Sequence, residues 1–293
     1  MWMAGDKAVW KAAPGPRKAG DHQPLVVTDA STGKELTRLA PANGWYYSNL
    51  RNETRVSRNG EFLAVCLEED SAHPPPDYDP SVRRVAIGIL GPACNNLERV
   101  VTLATHDRQF RYCEVRACVP SDDGAYVAVS GWKNSLVLVD VRARKVLWEM
   151  DPAGLGGFSE AAFSIDGKLL YAGTRVGHVD AIDLTTGTAV SQWPITGGTS
   201  RAYRTVSAVT VSPDGRFVAA GVGPTEQIHV WNAETGHRWL TLGHGEGTVL
   251  ILMFSPDSKA LCSFAAGRIK VWTLPEDGPI SKSNLPESSA GPR

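Results

Sequence analysis

Residues 211–236 read VSPDGRFVAAGVGPTEQIHVWNAETG. Two apolar runs, RFVAAG and QIHVW, flank a polar break, and Asp-Gly and Thr-Gly dipeptides bound the pair. Short runs of this kind, rich in Val, Ile, Phe and Tyr and closed by Gly, Asp or Asn, are strands rather than helices. Asp-Gly and Thr-Gly between strands are hairpin chemistry, because glycine supplies the positive φ that such turns need. The stretch therefore predicts successive antiparallel hairpins.

The pattern recurs along the chain. SRNGEFLAV, SDDGAYVAV, SIDGKLLYAG, SPDGRFVAAG and SPDSKALCSF place the turn glycine, or the serine replacing it, at Gly60, Gly124, Gly167, Gly215 and Ser258. A second run follows each turn: RRVAIGIL (83–90), SLVLVD ending at Asp140, HVDAID at Asp183, QIHVW at Trp231 and RIKVW at Trp272. DLTTGTAV, NAETGHRWLTL and, near the N-terminus, DASTGKELTRL add a further turn and strand. Each full unit thus carries four strands: a before the Asp-Gly turn, b after it, c ending in Asp or Trp, and d after the Thr-Gly turn. No stretch sustains a helical apolar stripe. Four antiparallel strands in roughly 40–45 residues make a β-propeller blade, so the expected fold class is all-β.

Four full units span residue 45 to about 245. They are flanked by strands c and d at 24–40 and by a, b and c at 248–274. Six blades are expected, with five or a truncated seven-blade array as alternatives. Residues 1–20 read as an N-terminal extension and 21–275 as the propeller, with an insertion at 68–84. Residues 276–293, rich in Pro, Ser and Gly, read as a disordered tail.

Bulk properties narrow the function. The 293 residues carry a formal charge of −1, so no basic excess advertises nucleic acid and no acidic excess advertises a solvating tail. Cys66, Cys94, Cys113, Cys118 and Cys262 show no Cys-x-x-Cys pairing, and most sit in apolar runs, so free buried thiols are expected. The N-terminus has no secretory h-region, and the longest apolar run, about VLILMF, is far short of a membrane span. A cytoplasmic protein is expected.

The chain resembles the WD-repeat β-propeller family. The residues that carry the resemblance best are 206–274, with VSPDGRFVAAG, IHVWNAETG, Gly243-His244, FSPDSKALCSF and IKVW. More divergent copies extend it to about four-fifths of the chain. The resemblance implies a buried network of His, Ser/Thr, Asp and Trp in each well-formed blade. Here His244, Trp231 and Trp272 match it, but the Asp positions hold Thr225 and Ala266. The middle blades are read as replacing Trp with Asp140 and Asp183. Stability is then expected to rest on apolar packing between blades. Lactonase-like and quinoprotein-like propellers share parts of this pattern and remain the rival families.

Catalytic signals are sparse. His229, His237 and His244 fall on a strand, a turn and a loop, so they are not expected to share a metal. His229 and His237 are expected to be partly exposed. There is no phosphate-cradling Gly-rich loop, no Gly-x-Ser-x-Gly elbow and no His-Glu-x-x-His run. Asp140 and Asp183 read as structural residues of the c–d turn. The stiff acidic insertion EEDSAHPPPDYDPSVRR is expected to protrude from one face.

Loops joining b to c and d to a emerge together on one face of a propeller. There they present Phe110, Arg111, Trp132, Lys133, Arg175, Tyr203 and Arg204, the residue types that dominate binding hot spots. The expected function is a non-catalytic scaffold, with no cofactor or metal, that binds a protein or peptide there. Neither nucleic acid nor membrane is an expected partner. The chain is expected to be a monomer or part of a larger complex. The alternative is a propeller enzyme working at the central channel.

Overall fold

The computed structural model describes residues 2–4, 8–12, 24–29, 32–41, 44–47, 55–69, 73–91, 97–105, 115–131, 135–151, 157–195, 205–223, 226–245 and 247–275. All their regular structure is β, in six antiparallel sheets that follow one another along the chain. The first holds β1–β4 (Trp2–Ala4, Ala8–Ala12, Leu25–Asp29, Glu35–Leu39). The second holds β5–β9 (Trp45–Tyr47, Arg55–Val56, Leu63–Glu69, Arg83–Leu90, Glu98–Thr105), in which β5 and β6 are two pieces pairing with opposite ends of β7.

The third sheet holds β10–β13 (Ala117–Pro120, Tyr126–Ser130, Leu136–Asp140, Lys145–Met150) and the fourth β14–β17 (Phe158–Phe163, Leu169–Thr174, His178–Asp183, Ala189–Pro194). The fifth holds β18–β21 (Thr205–Val211, Phe217–Gly223, Gln227–Asn232, Arg238–Gly243), and the sixth β22–β24 (Val249–Phe254, Ala260–Ala265, Arg268–Thr273). The six expected blades are present. Because β1 and β2 lie within residues 1–20, the first sheet reaches into the stretch read as an extension.

The recurring Ser-x-Asp-Gly sequence has a local cause. In each a–b turn the serine hydroxyl donates to the Asp side chain, at 2.6 Å for Ser121–Asp123 and 2.7 Å for Ser164–Asp166. The serine oxygen accepts the N–H five residues on, as from Tyr126 at 2.9 Å and Leu169 at 2.9 Å. The Asp accepts the N–H two residues past itself, such as Ala125 at 3.0 Å. These bonds hold Asp123, Asp166 and Asp257 below the usual carboxylate range, the serine bond contributing most. Asn59 takes the Asp role in the second sheet. Ser258 sits at φ 60 where the other turns have glycine, and its hydroxyl accepts Asp214 N–H from the neighbouring turn at 3.1 Å.

Register corrects the reading of strand c. Asp140 pairs with Tyr126 and Asp183 with Leu169, as Asn232 pairs with Phe217 and Thr273 with Ala260. Asp140 and Asp183 therefore occupy the position after the Trp, and Val139 and Ile182 occupy the Trp position itself. The carboxylates cap the c–d turn: Asp140 accepts Ala143 N–H at 2.7 Å, Asp183 accepts Thr186 N–H at 2.8 Å, and Asn232 accepts Thr235 N–H at 2.8 Å. Their structural role holds, one residue out of the expected register.

Apolar residues form five clusters, one in each gap between consecutive sheets. Val85, Ile87, Cys118 and Val139 fill the second–third gap, while Tyr171, Trp193, Val218 and Trp231 fill the fourth–fifth. Among the described residues no such cluster joins the sixth sheet to the first. Cys66 and Cys118 are buried, Cys262 is half-buried, and Cys118 and Cys262 are free thiols.

Two repeated devices set the spacing. Strand a carries a bulge at Ser159 and again at Ser207. Ser159 Oγ donates to Val206 O of the next sheet at 2.6 Å, and Ser207 Oγ donates to Val249 O at 2.6 Å. Beside each clip strand b has a glycine. A Cβ on Gly173 would lie 2.4 Å from Val206 Cγ1, and one on Gly221 would lie 2.8 Å from Val249 Cβ. On the outer rim Trp148 and Trp193 lie over the c–d turn glycines of the following sheet, Gly187 and Gly236.

The insertion differs from expectation. β7 continues to Glu69 and β8 begins at Arg83, so the inserted segment is 70–82. It folds back: Pro75 is buried against Gly44, and Arg84 pairs with Asp77 at 2.6 Å and Glu69 at 2.7 Å. An arginine at the base of the loop neutralises part of its acidity.

Gly173→Ala forces a methyl group into Val206 and should cost about 1–3 kcal/mol of unfolding free energy in urea titrations. Gly243→Ala, which meets nothing within 4 Å, should cost little; equal effects at the two sites would refute the close-approach account.

Candidate binding face

The b–c turns and d–a loops are bonded to each other at one end of the sheets. Arg175 N–H donates to Gly157 O at 2.9 Å and Ile195 N–H to Gly177 O at 2.9 Å. In the fifth blade His244 N–H donates to Glu226 O at 2.8 Å and Gly247 N–H to the Glu226 carboxylate at 3.0 Å. The geometry behind the expected binding face is thus present in two blades. Arg175 is exposed on the tight turn after β15, next to exposed Val176. The other six residues expected there, Phe110, Arg111, Trp132, Lys133, Tyr203 and Arg204, lie outside the described residues.

Near the axis the structure places a charge pair that no sequence signal announces. Arg55 on β6 meets Glu160 on β14 at 2.7 Å, joining the second sheet to the fourth. Such a span requires the strand a edges to face one another around a narrow centre. Burial pushes the Glu160 carboxyl up to about 7, while Arg55, and to a lesser degree Arg116, pull it down. The partners are 105 residues apart, so only the closure of the sheets brings them together. Asp180, buried on β16, is raised mainly by desolvation and accepts a hydrogen bond from Gln192 at 3.0 Å.

The blade network is partly built in the sixth sheet. Trp272 Nε1 donates to Ser263 Oγ at 3.0 Å, and Ser263 Oγ lies 2.9 Å from His244 Nδ1. The Ser263 hydroxyl can donate to Nδ1 while accepting from the Trp, and in that tautomer the histidine proton sits on Nε2. His244 Nε2 is buried without a hydrogen-bond partner. The missing acceptor is the carboxylate that Ala266 replaces, and Ala266 is itself held at φ 48, a conformation alanine disfavours. In the fifth sheet Trp231 is present, but Ala220 occupies the place of Ser263. Trp231 instead stacks on Trp193, with ring centroids 5.9 Å apart. Thr225 lies outside the described residues.

The three histidines are dispersed, and one departs from expectation. His237 is exposed, His244 is in the network, and His229 is fully buried rather than partly exposed. Its position two residues before Trp231 puts both rings on the face covered by the fourth sheet. His229 Nδ1 lies 3.2 Å from Thr241 Oγ1. Burial, helped by Arg238, lowers its pKa to about 4. Among the described residues no three His, Cys, Asp or Glu side chains are grouped so as to hold a metal ion, and no helix is long and apolar enough to cross a membrane.

Known proteins share parts of this chain. No family model matches it. An uncharacterized WD repeat-containing protein of Synechocystis is 29% identical over 146 residues, 50% of this chain and 40% of that protein. The small ribosomal subunit protein RACK1 of Caenorhabditis elegans is 34% identical over 86 residues, 29% of this chain and 26% of its own length. The chain thus spans less than half of either relative. A chain in the crystal structure of a mitotic checkpoint complex superposes with a TM-score of 0.65 at 21% identity, over 94% of this chain and 75% of that one.

Ala266→Asp should give Nε2 its acceptor and raise stability by about 1–2 kcal/mol, a gain that disappears when His244→Phe is also present. Equal gains in both backgrounds would break the link. His229 generates a pH prediction. The unfolded histidine titrates near 6.5 and the folded one near 4, so its contribution is lost as pH falls through that window. Glu160 works in the opposite sense, because its raised folded value favours the native state at low pH. The two are separated by difference: the stability of the wild type relative to His229→Gln should shrink by about 3 kcal/mol between pH 7 and pH 4. A pH-independent difference would contradict the buried neutral ring.

Proposed function

We propose that the chain is a divergent WD-repeat β-propeller acting as a non-catalytic scaffold whose b–c and d–a loops bind a protein or peptide partner, a reading supported by its relatives and its fold. The observation that carries this reading is the bonding of b–c turns to d–a loops, which fixes Arg175 and Val176 on a stiff support. A surface ordered before binding loses less conformational entropy when a partner docks. Trp132, Lys133, Phe110, Arg111, Tyr203 and Arg204 belong to the same loop classes and complete the proposed site. RACK1 is named as a ribosomal subunit protein, and the structural neighbour sits in a multiprotein complex; both support an assembly role. The partner is a protein or peptide met in the cytoplasm, and its capture uses no cofactor.

Chemical cross-linking in native lysate, with the chain as bait, tests the face. Trp132→Ala, Arg175→Ala and Arg204→Ala should each reduce recovery of the shared partner about tenfold, while Lys168→Ala on the a–b turn at the opposite end should not. Wild-type recovery by all three loop variants would sink the assignment.

A further inference from the structure

His244 is buried with half of its hydrogen bonding unmet. The residue is 1% exposed, Nδ1 is bonded to Ser263 at 2.9 Å, and Nε2 has no partner. In the tautomer that an accepting Nδ1 requires, Nε2 carries an N–H, and a buried donor of this kind is costly until it meets an acceptor.

The surroundings are small and near the surface. Gly243, Gly245 and Gly247 flank the histidine between β21 and β22, and the turn between β23 and β24 is only Ala266 and Gly267. The two segments touch, since a Cβ on Gly247 would lie 3.0 Å from Ala266 Cβ. A Cβ on Gly243 or Gly267 would meet nothing within 4 Å, and one on Gly245 would meet the Lys270 ammonium at 3.7 Å. Among the described residues at 243–247 and 266–267, only His244 and Ala266 have a side chain at all. A small group therefore reaches Nε2 by displacing glycine backbone, which moves at little steric cost.

Charge and turn geometry select the group. Lys270 Nζ donates to His244 O and lies 5.8 Å from the centroid of the Trp272 ring, and Arg268 begins β24. The carboxylate of Glu226, in the preceding b–c turn, is directed to the Gly247 N–H. Ala266 and Gly267 have φ 48 and φ 77, the pair of positive values of a type I′ turn, whose first position suits Asn, Asp or Gly better than alanine. An Asp there would ease the backbone and supply the acceptor; alanine does neither.

We infer that the carboxylate this turn lacks is supplied by the partner: an Asp or Glu side chain enters between residues 243–247 and the Ala266–Gly267 turn, accepts from His244 Nε2 and is neutralised by Lys270. The inference rests on the loop-end reading of the binding face, to which both segments belong, and it makes the docking segment of the protein or peptide partner acidic. A hydrogen bond to a carboxylate is stronger than one between neutral groups, and here it is realised only in the complex.

Formate, a bare carboxylate, is the probe. Long-range proton–nitrogen NMR of the full chain follows the His244 ring during titration with sodium formate or sodium chloride at neutral pH and equal ionic strength. Formate should move the Nε2 signal saturably and chloride should not. Ala266→Gly relaxes the turn without adding a carboxylate and should keep the response, whereas Ala266→Asp fills the niche and should weaken formate binding about tenfold. A tripeptide with a central Asp, capped at both ends, should displace formate, and its Asn counterpart should not. An Nε2 signal that formate leaves unmoved, that chloride moves equally, or that responds equally in Ala266→Asp overturns the niche. Formate that the Asp peptide fails to displace assigns the niche to a small free carboxylate and overturns the partner's side chain. The titration uses no partner, so it stands apart from the capture assay on Trp132, Arg175 and Arg204, and either reading can fail alone.

Discussion

Val206 and Val249 occupy the space that Gly173 and Gly221 leave open, and their carbonyls accept from Ser159 and Ser207. This close, clipped contact sets the spacing of the fourth–fifth and fifth–sixth gaps, within the apolar packing between consecutive sheets on which the other features depend. A lone sheet exposes both faces and is stable only when neighbours bury them, so the energy of the fold lies in the gaps. Five apolar clusters occupy five gaps, and the polar features arrange themselves around them. The outer tryptophans Trp148 and Trp193 close two of the gaps at the rim, over turn glycines whose missing side chains make room. The Arg55–Glu160 pair joins inner strands near the axis.

The blade network ranks second to this packing. Among the described residues only Ser263 hydrogen-bonds both a histidine and a tryptophan, and the connection stops at His244 Nε2. Elsewhere Val139 and Ile182 replace the tryptophan with branched aliphatics that pack without needing polar partners. A partly satisfied polar network stabilises less than a complete one, whereas an apolar substitution leaves no orphan donor. Loss of the network and strength of the apolar gaps are therefore two sides of one divergence. The same logic makes His229 neutral: a ring between two sheets has no water to solvate its charge.

The Ser-x-Asp-Gly turns were legible because their bonds are local, closed within five residues by the serine and the Asp. The strand c register was less legible. Asp140 and Trp231 both end a run of apolar residues, and only the pairing partners, Tyr126 and Val218, show that they stand one position apart. His229 was misplaced because burial of a strand residue depends on which sheet covers its face. The insertion shows the same limit, since its composition suggested a projecting loop while Arg84 and Gly44 draw it back.

The sequence by itself determined the β-propeller class, the period, the turn chemistry and the absent Asp at Ala266. Each of these is written in residues near one another in the chain, where backbone sterics and short-range hydrogen bonds act. Only the tertiary structure decided which tryptophan stacks on which and that Arg55 would find Glu160. Those depend on the rotation of one sheet against the next, a quantity set by side-chain volume in the gaps and invisible to any window along the chain.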